Sequence, residues 1–186
     1  MNEAKRRLFV GIDLDASARD ACAALSERLR RTGFAARYEV RDKLHVTLAF
    51  LGYVASERYA AVVSALVAAA KAAPFALTLD KLGGFPHERR PRIAYVGARE
   101  QGAPFRALAK NVRRAYSALE FEFNNDPVAH VTIARIKAPS RPLTLIEFSP
   151  ITLRMECLTL FESLPDRANN TSRYERIESI PLSLSS

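Results

Sequence analysis

Much of what this 186-residue chain lacks narrows what it can be. It has only two cysteines, Cys22 and Cys157. Cys22 falls on an apolar helical stripe and Cys157 in a strand-like run, so both are expected as buried free thiols of a reduced compartment. Neither has a His or Asp pattern beside it that would make it a nucleophile. No uncharged apolar run is long enough to cross a bilayer. Asp13 and Asp15 interrupt the apolar run behind the basic N-terminus, so no signal peptide is expected and the protein is expected in the cytoplasm. No Gly-x-x-x-x-Gly-Lys-Ser/Thr loop occurs. Lys81-Leu82-Gly83-Gly84 is not a Lys-x-Asp-Gly nucleotidyl-transfer site, so an ATP-driven ligase is not expected. Histidine is scarce as well, with three in the chain.

What is present is basic. Lys and Arg number 28 against 20 Asp and Glu, a formal net charge of +8. The arginines cluster at Arg6-Arg7, Arg28 with Arg30-Arg31, Arg89-Arg90 with Arg92, and Arg113-Arg114. This excess suits an anionic partner, nucleic acid first among them, although each cluster alone can be a solvated helix face. A hydrophobic share of 48% and a length of 186 residues give one soluble domain, residues 1–186, with a core large enough to need no staples.

Two of the three histidines open the same word. His45-Val46-Thr47-Leu48-Ala49 returns as His130-Val131-Thr132-Ile133-Ala134, 85 residues later. In a strand, side chains alternate between faces, so His and Thr of each copy share one face and the apolar residues the other. Their Cα atoms then lie roughly 6–7 Å apart. Each copy offers a proton carrier and a hydroxyl to one spot.

The surroundings repeat too. Arg7 to Leu14 reads as a buried strand. A helix follows with Ala18, Cys22, Leu25 and Leu29 in phase, Ser17-x-x-Asp20 as start and Gly33 as stop. Arg37 to Val40 is a short strand, and Leu44 to Leu51 the first His-Thr strand. A second helix runs from Ser56 to Ala73, with Ala60, Val63, Val67 and Ala70 on one side and Pro74 ending it. Phe75 to Leu82 reads as a strand broken by Gly83-Gly84-Phe85-Pro86. Arg92 to Ala98 is again a buried strand, followed by a helix from Pro104 with Phe105, Leu108, Val112, Ala115 and Leu119 in phase. Glu120 to Phe123 reads as a short strand, 124–127 as a turn, and Ala129 to Ile136 as the second His-Thr strand. A turn at 139–142 precedes β-like runs at 143–148, 151–162 and 173–180. Strand, helix, short strand and His-Thr strand thus occur twice. Two such units predict an α+β fold with mostly antiparallel sheets and helices on the outer faces, the two His-Thr faces lining a groove between sheets.

Two opposed imidazoles can be base and acid on one substrate, since histidine titrates near neutrality. Phosphodiester cleavage needs both: one group takes a proton from the attacking oxygen, the other supplies one to the leaving oxygen. Thr47 and Thr132 suit the non-bridging oxygens, and Arg135, three residues past Thr132, adds a charged donor. A zinc site would add a carboxylate or third His at short spacing, but threonine fills the next same-face position in both copies, so no metal is expected. His87 lies in the loop Pro86-His87-Glu88-Arg89-Arg90-Pro91 and has no duplicate; it reads as a solvated loop residue.

These motifs resemble the two-histidine phosphoesterase superfamily, and within it the LigT-like RNA 2′,3′-cyclic phosphodiesterases, historically called 2′–5′ RNA ligases. Arg7 to Leu14 looks like the family's opening strand. Leu44 to Gly52 looks like its first motif, His130 to Arg135 like its second, and Leu158 to Ser163 with Tyr174-Glu175 like its closing strands. The resemblance implies a bilobal, pseudo-twofold α+β fold with a central cleft. It implies hydrolysis of a 2′,3′-cyclic phosphate at an RNA end to a 2′-phosphate, without metal or nucleotide cofactor. It implies His45 as proton donor to the 3′ oxygen and His130 as base, with Thr47, Thr132 and Arg135 on the phosphate. Phe9 is expected in the core, with the cleft as the alternative. The Pro86–Arg92 loop carries more charge than the family leads one to expect, through Arg89, Arg90 and Arg92. Joining or opening 2′–5′ linkages, and cleavage of small cyclic nucleotides, are alternatives with the same site; a basic RNA-binding module is the non-enzymatic one. A pseudo-symmetric chain completes its site alone, so a monomer is expected.

Overall fold

The computed structural model describes residues 5–137, 142–143 and 146–184. In chain order the elements are β1 Lys5–Asp13, α1 Ala16–Arg31, β2 Ala36–Tyr38, β3 His45–Ala55, α2 Tyr59–Ala69, β4 Phe75–Leu79, β5 Lys81–Phe85, β6 Ile93–Gly97, α3 Gly102–Ser117, β7 His130–Ile136, β8 Ile151–Met155, β9 Cys157–Asp166 and β10 Thr171–Pro181. The strand pairs are antiparallel. Eight strands form one sheet in the order β10-β9-β1-β3-β7-β6-β5, with β2 also on β7, while β4 and β8 pair separately. The fold is α+β.

One face of the large sheet carries the core. Leu8, Val10 and Ile12 of β1, Val46 and Leu48 of β3, and Val131 and Ile133 of β7 are buried with Leu25 and Leu29 of α1, Leu66 of α2, and Phe105, Leu108 and Val112 of α3. Period-two alternation then turns His45, Thr47, His130 and Thr132 to the opposite face, where each is half-buried. The groove therefore runs along one face of a shared sheet, not between two sheets as the repeat suggested: β3 and β7 are neighbours, joined at Val46↔Val131.

The repeat survives in part. β1 pairs with β3 and β6 with β7, and each leading strand carries a register shift, at Val10/Gly11 and at Ala94/Tyr95. The short strand expected at 120–123 does not form. Glu120 turns the chain with φ 63°, and the Phe123 carbonyl accepts from Arg113 at 2.7 Å instead of from a neighbouring strand. The second unit therefore lacks a counterpart of β2.

Other boundaries shift for local reasons. Asp15, not Ser17, caps α1: its carboxylate accepts from the Ala18 N–H at 2.9 Å. α2 ends at Ala69 and buries Val62, Ala65, Leu66 and Ala69, leaving Val67 48% exposed. That segment is apolar on every side, so periodicity could not choose its inner face. The run at 75–82 divides at Asp80, β4 going to β8 and β5 to β6. Gly83 and Gly84 continue β5 instead of breaking it, because the Tyr95 ring covers Gly83; a Cβ there would stand 2.4 Å from Tyr95 Cζ. The run at 151–162 likewise divides at Glu156 between the two sheets. Residues 139–141 of the expected turn and 144–145 of the expected strand lie outside the described residues, and Leu143 and 146–148 are not in a strand. Both cysteines are free, Cys22 buried and Cys157 half-buried. Among the described residues no helix is long and apolar enough to cross a membrane.

Candidate active site

The site starts from how little β3 and β7 touch. With Val46 opposite Val131, antiparallel register sets His45 level with Thr132 and Thr47 level with His130. The strands then part. β2 takes over the same edge of β7, pairing Tyr38 with Ala134 and Ala36 with Ile136. Between Tyr38 and Val46 the chain spends eight residues where β7, from Ala134 back to Val131, spends three. The surplus of five forms a short 3-10 turn at Arg41–Lys43 and carries Glu39 and Lys43 to the cleft wall.

The two imidazoles are held alike. His45 Nδ1 lies 2.6 Å from the Lys43 carbonyl, and His130 Nδ1 lies 2.8 Å from the Val128 carbonyl. A carbonyl can only accept, so Nδ1 carries the proton in each ring and the Nε2 lone pair is left for the cleft. His45 Nε2 is 3.0 Å from Thr47 Oγ1, whose hydroxyl can donate to it.

Aromatic rings back each histidine. Phe9, Phe161 and Tyr174 lie 4.9, 5.5 and 5.2 Å from the His45 ring, and Phe85 and Tyr95 lie 5.0 and 5.2 Å from His130. Phe9, expected in the core, takes the alternative place: it is buried, but on the cleft face of β1, under His45 and apart from the core cluster of Leu8, Val10 and Ile12. Burial makes charging these rings costly. It pushes His45 down to about 4, against the pull of the Lys43 carbonyl, Glu39 and Asp13; His130 adds to the lowering. His130 is also lowered, by burial first and further by Arg135, with the Val128 carbonyl opposing.

The cleft has a volume of about 720 Å³ and is rich in cations: Arg7, Arg37, Lys43 and Arg135 all line it. Arg135 Nε donates to Glu39 Oε1 at 2.8 Å, and its side chain is 42% exposed. Lys43 Nζ donates to Thr171 Oγ1 at 3.0 Å, and the Arg37 guanidinium to the Asn170 carbonyl at 3.2 Å, so the β9–β10 turn leans over this end. The structure therefore brings together all five residues singled out in the sequence: His45, Thr47, His130, Thr132 and Arg135. It adds Arg7, Arg37, Glu39, Lys43 and Tyr174, which the sequence did not assign to the site, because they reach the cleft through pairing that local spacing does not encode. His87 stays outside on its exposed loop, its Nδ1 accepting from the Arg90 N–H. Among the described residues no three His, Cys, Asp or Glu side chains gather as a metal site. The arrangement offers two lone-pair nitrogens and several cations to one small anion, which suits a phosphate ester with a proton transfer on each side.

Known proteins have similar chains and a similar fold. A family model described as LigT like Phosphoesterase matches residues 12–95. An "RNA 2′,3′-cyclic phosphodiesterase" of Archaeoglobus fulgidus is 33% identical over 131 residues, covering 70% of this chain and 73% of that protein. One of the same name from Escherichia coli is 33% identical over 143 residues, covering 75% and 76%. The crystal structure of E. coli LigT complexed with 3′-AMP superposes with a TM-score of 0.78 at 27% identity, over 96% of this chain and 99% of that one.

Proposed function

The chain belongs to the LigT-like phosphoesterase family, and from that premise we propose that it hydrolyses 2′,3′-cyclic phosphates at RNA ends to 2′-phosphates, with His45 and His130 as the acid–base pair. The observation that carries the reading is the matched pair of imidazoles. Each is locked by its own Nδ1–H bond to a carbonyl two residues back, each turns Nε2 to the cleft, His45 Nε2 beside the Thr47 hydroxyl, and both meet in one cation-lined cleft.

In the proposed reaction His130 Nε2 takes a proton from water as the water oxygen bonds to phosphorus. The bond from phosphorus to the 3′ oxygen breaks, and protonated His45 Nε2 gives its proton to that oxygen. A 2′-phosphomonoester and a 3′-hydroxyl remain. The proton gained at His130 and the one lost at His45 are exchanged with solvent before the next turnover. Thr47, Thr132 and Arg135 donate to the non-bridging oxygens.

Charge supports this division of labour. Carboxylates, Glu39 and Asp13, face His45 and favour its protonated form, whereas Arg135 disfavours protonation of His130. Burial opposes a cationic His45, and a bound phosphate anion offsets that cost. The same reading takes the protein as a cytoplasmic monomer, since one chain supplies both halves of the site and both thiols are free.

The test is an RNA ending in a 2′,3′-cyclic phosphate, incubated with EDTA and without ATP, with the product end identified. A 2′-phosphate is expected. No turnover under EDTA with rescue by zinc would overturn the two-histidine mechanism, and a 3′-phosphate product would overturn the regiochemistry.

A further inference from the structure

Glu39 is a carboxylate on the wall of a cleft that otherwise gathers cations for an anion. Its side chain is only 6% exposed, so its charge is poorly hydrated and must be held by partners. It has two. Arg135 Nε of β7 donates to Oε1 at 2.8 Å, and Lys43 Nζ, on the lead-in to β3, stands 3.1 Å from Oε2. The cations come from the segments that carry the two His-Thr words, and a single carboxylate ties them together. Burial alone would raise the Glu39 carboxyl; Lys43 and Arg135 outweigh it and hold it below the usual range, so it is an anion at working pH.

We propose that Glu39 is a positioning residue of the reaction, holding Arg135 and Lys43 at the phosphate and keeping a negative charge toward His45. This rests on the cyclic phosphodiesterase reading. A neutral cleft residue at 39 would leave Arg135 without its Nε acceptor charge and the His45 side more positive. The five-residue extrusion between β2 and β3 then has a use: it delivers the carboxylate, the lysine and the carbonyl that fixes the His45 ring in one segment.

Other charged groups act at His45 and enter the test. Asp13 of β1 faces it but is held by Arg19 and Arg176. Lys43 precedes it, His130 and Arg135 approach from β7, Arg7 from β1, and Tyr174 from β10. Of the carboxylates here, only Glu39 is bonded to the phosphate-side cations.

Glu39→Gln separates this role from mere stitching of the turn. If His45 must be protonated and His130 neutral, activity below both titrations depends on His130, and activity above both depends on His45. Removing the Glu39 charge lowers the His45 titration. The ratio of variant to wild-type kcat/KM should then stay level at the acid end and fall toward alkaline pH, about tenfold per unit moved. Glu39→Asp, which keeps the charge, should run parallel to wild type. A ratio that is the same at every pH, or an Asp variant that follows Gln in shape, would overturn the proposal. Should the Gln variant not fold by thermal melt, Glu39→Met, similar in volume and uncharged, is read the same way. A wild-type enzyme inactive on the cyclic phosphate would overturn the functional reading and this proposal with it. An active wild type with a flat ratio overturns this proposal alone.

Discussion

Val46 and Val131 face each other as the registered pair joining β3 to β7. Because both side chains are fully buried on the helix face, the residues flanking them turn to the cleft, and each histidine stands across from the other copy's threonine. A longer ladder would leave no room for the five-residue extrusion that carries Glu39 and Lys43.

His45→Ala and His130→Ala should each lower kcat/KM by roughly 10²- to 10⁴-fold. The double variant should lose less than the product of the two, since the pair acts as a unit. Steady-state rates on a cyclic-phosphate dinucleotide, with melts to confirm folding, check this. A single variant with near-normal turnover ends the acid–base pairing.

Without added phosphate the His45 ring should stay neutral until about pH 4, and His130 should titrate below the ordinary histidine value. Both are folded-state depressions. Their contribution to stability is therefore whole above about 6.5, the unfolded value, and is lost as pH falls through the folded values. Inorganic phosphate should raise both titrations. NMR of the ring carbon protons reads this directly; a His45 titrating near its ordinary value without phosphate refutes it.

Arg135→Ala should cost roughly 10- to 100-fold in kcat/KM, the range of a charge-assisted hydrogen bond. Arg135→Lys should recover only part, because lysine restores a point charge but not the Nε–H that meets Glu39. Full recovery in the Lys variant would show that charge alone matters there.

Gly11 lies opposite Thr47, and a Cβ on it would stand 2.4 Å from the Val46 carbonyl oxygen. Gly11→Ala should therefore destabilise by about 1–3 kcal/mol and displace the strand that holds His45 and Thr47. Melting temperature and kcat should fall together. An unchanged melt would mean that β3 yields at no cost.

The legible part of this protein was what alternation and repetition encode. The paired His-Thr word put a histidine and a threonine on one face of each of two strands, and the charge excess pointed to an anionic partner such as nucleic acid. α1 and α3 followed from spaced apolar residues bounded by polar ones. α2 did not yield its inner face, since Val63 and Val67 look as suited to burial as Val62 and Leu66. Gly83-Gly84 misled because a glycine pair reads as a break unless the ring covering it is known.

The sequence alone singled out His45, Thr47, His130 and Thr132 as sharing faces of two strands, because residue type and strand period are local properties. Tertiary structure decided the rest. Whether the two words lie in one sheet or two depends on a single cross-strand pair 85 residues apart in sequence, Val46 with Val131. Glu39, Lys43, Arg7 and Tyr174 reach the cleft only through pairing among distant strands, and each histidine's acidity is set by burial and by charges from those strands. Such interactions fall off with distance in space, not along the chain.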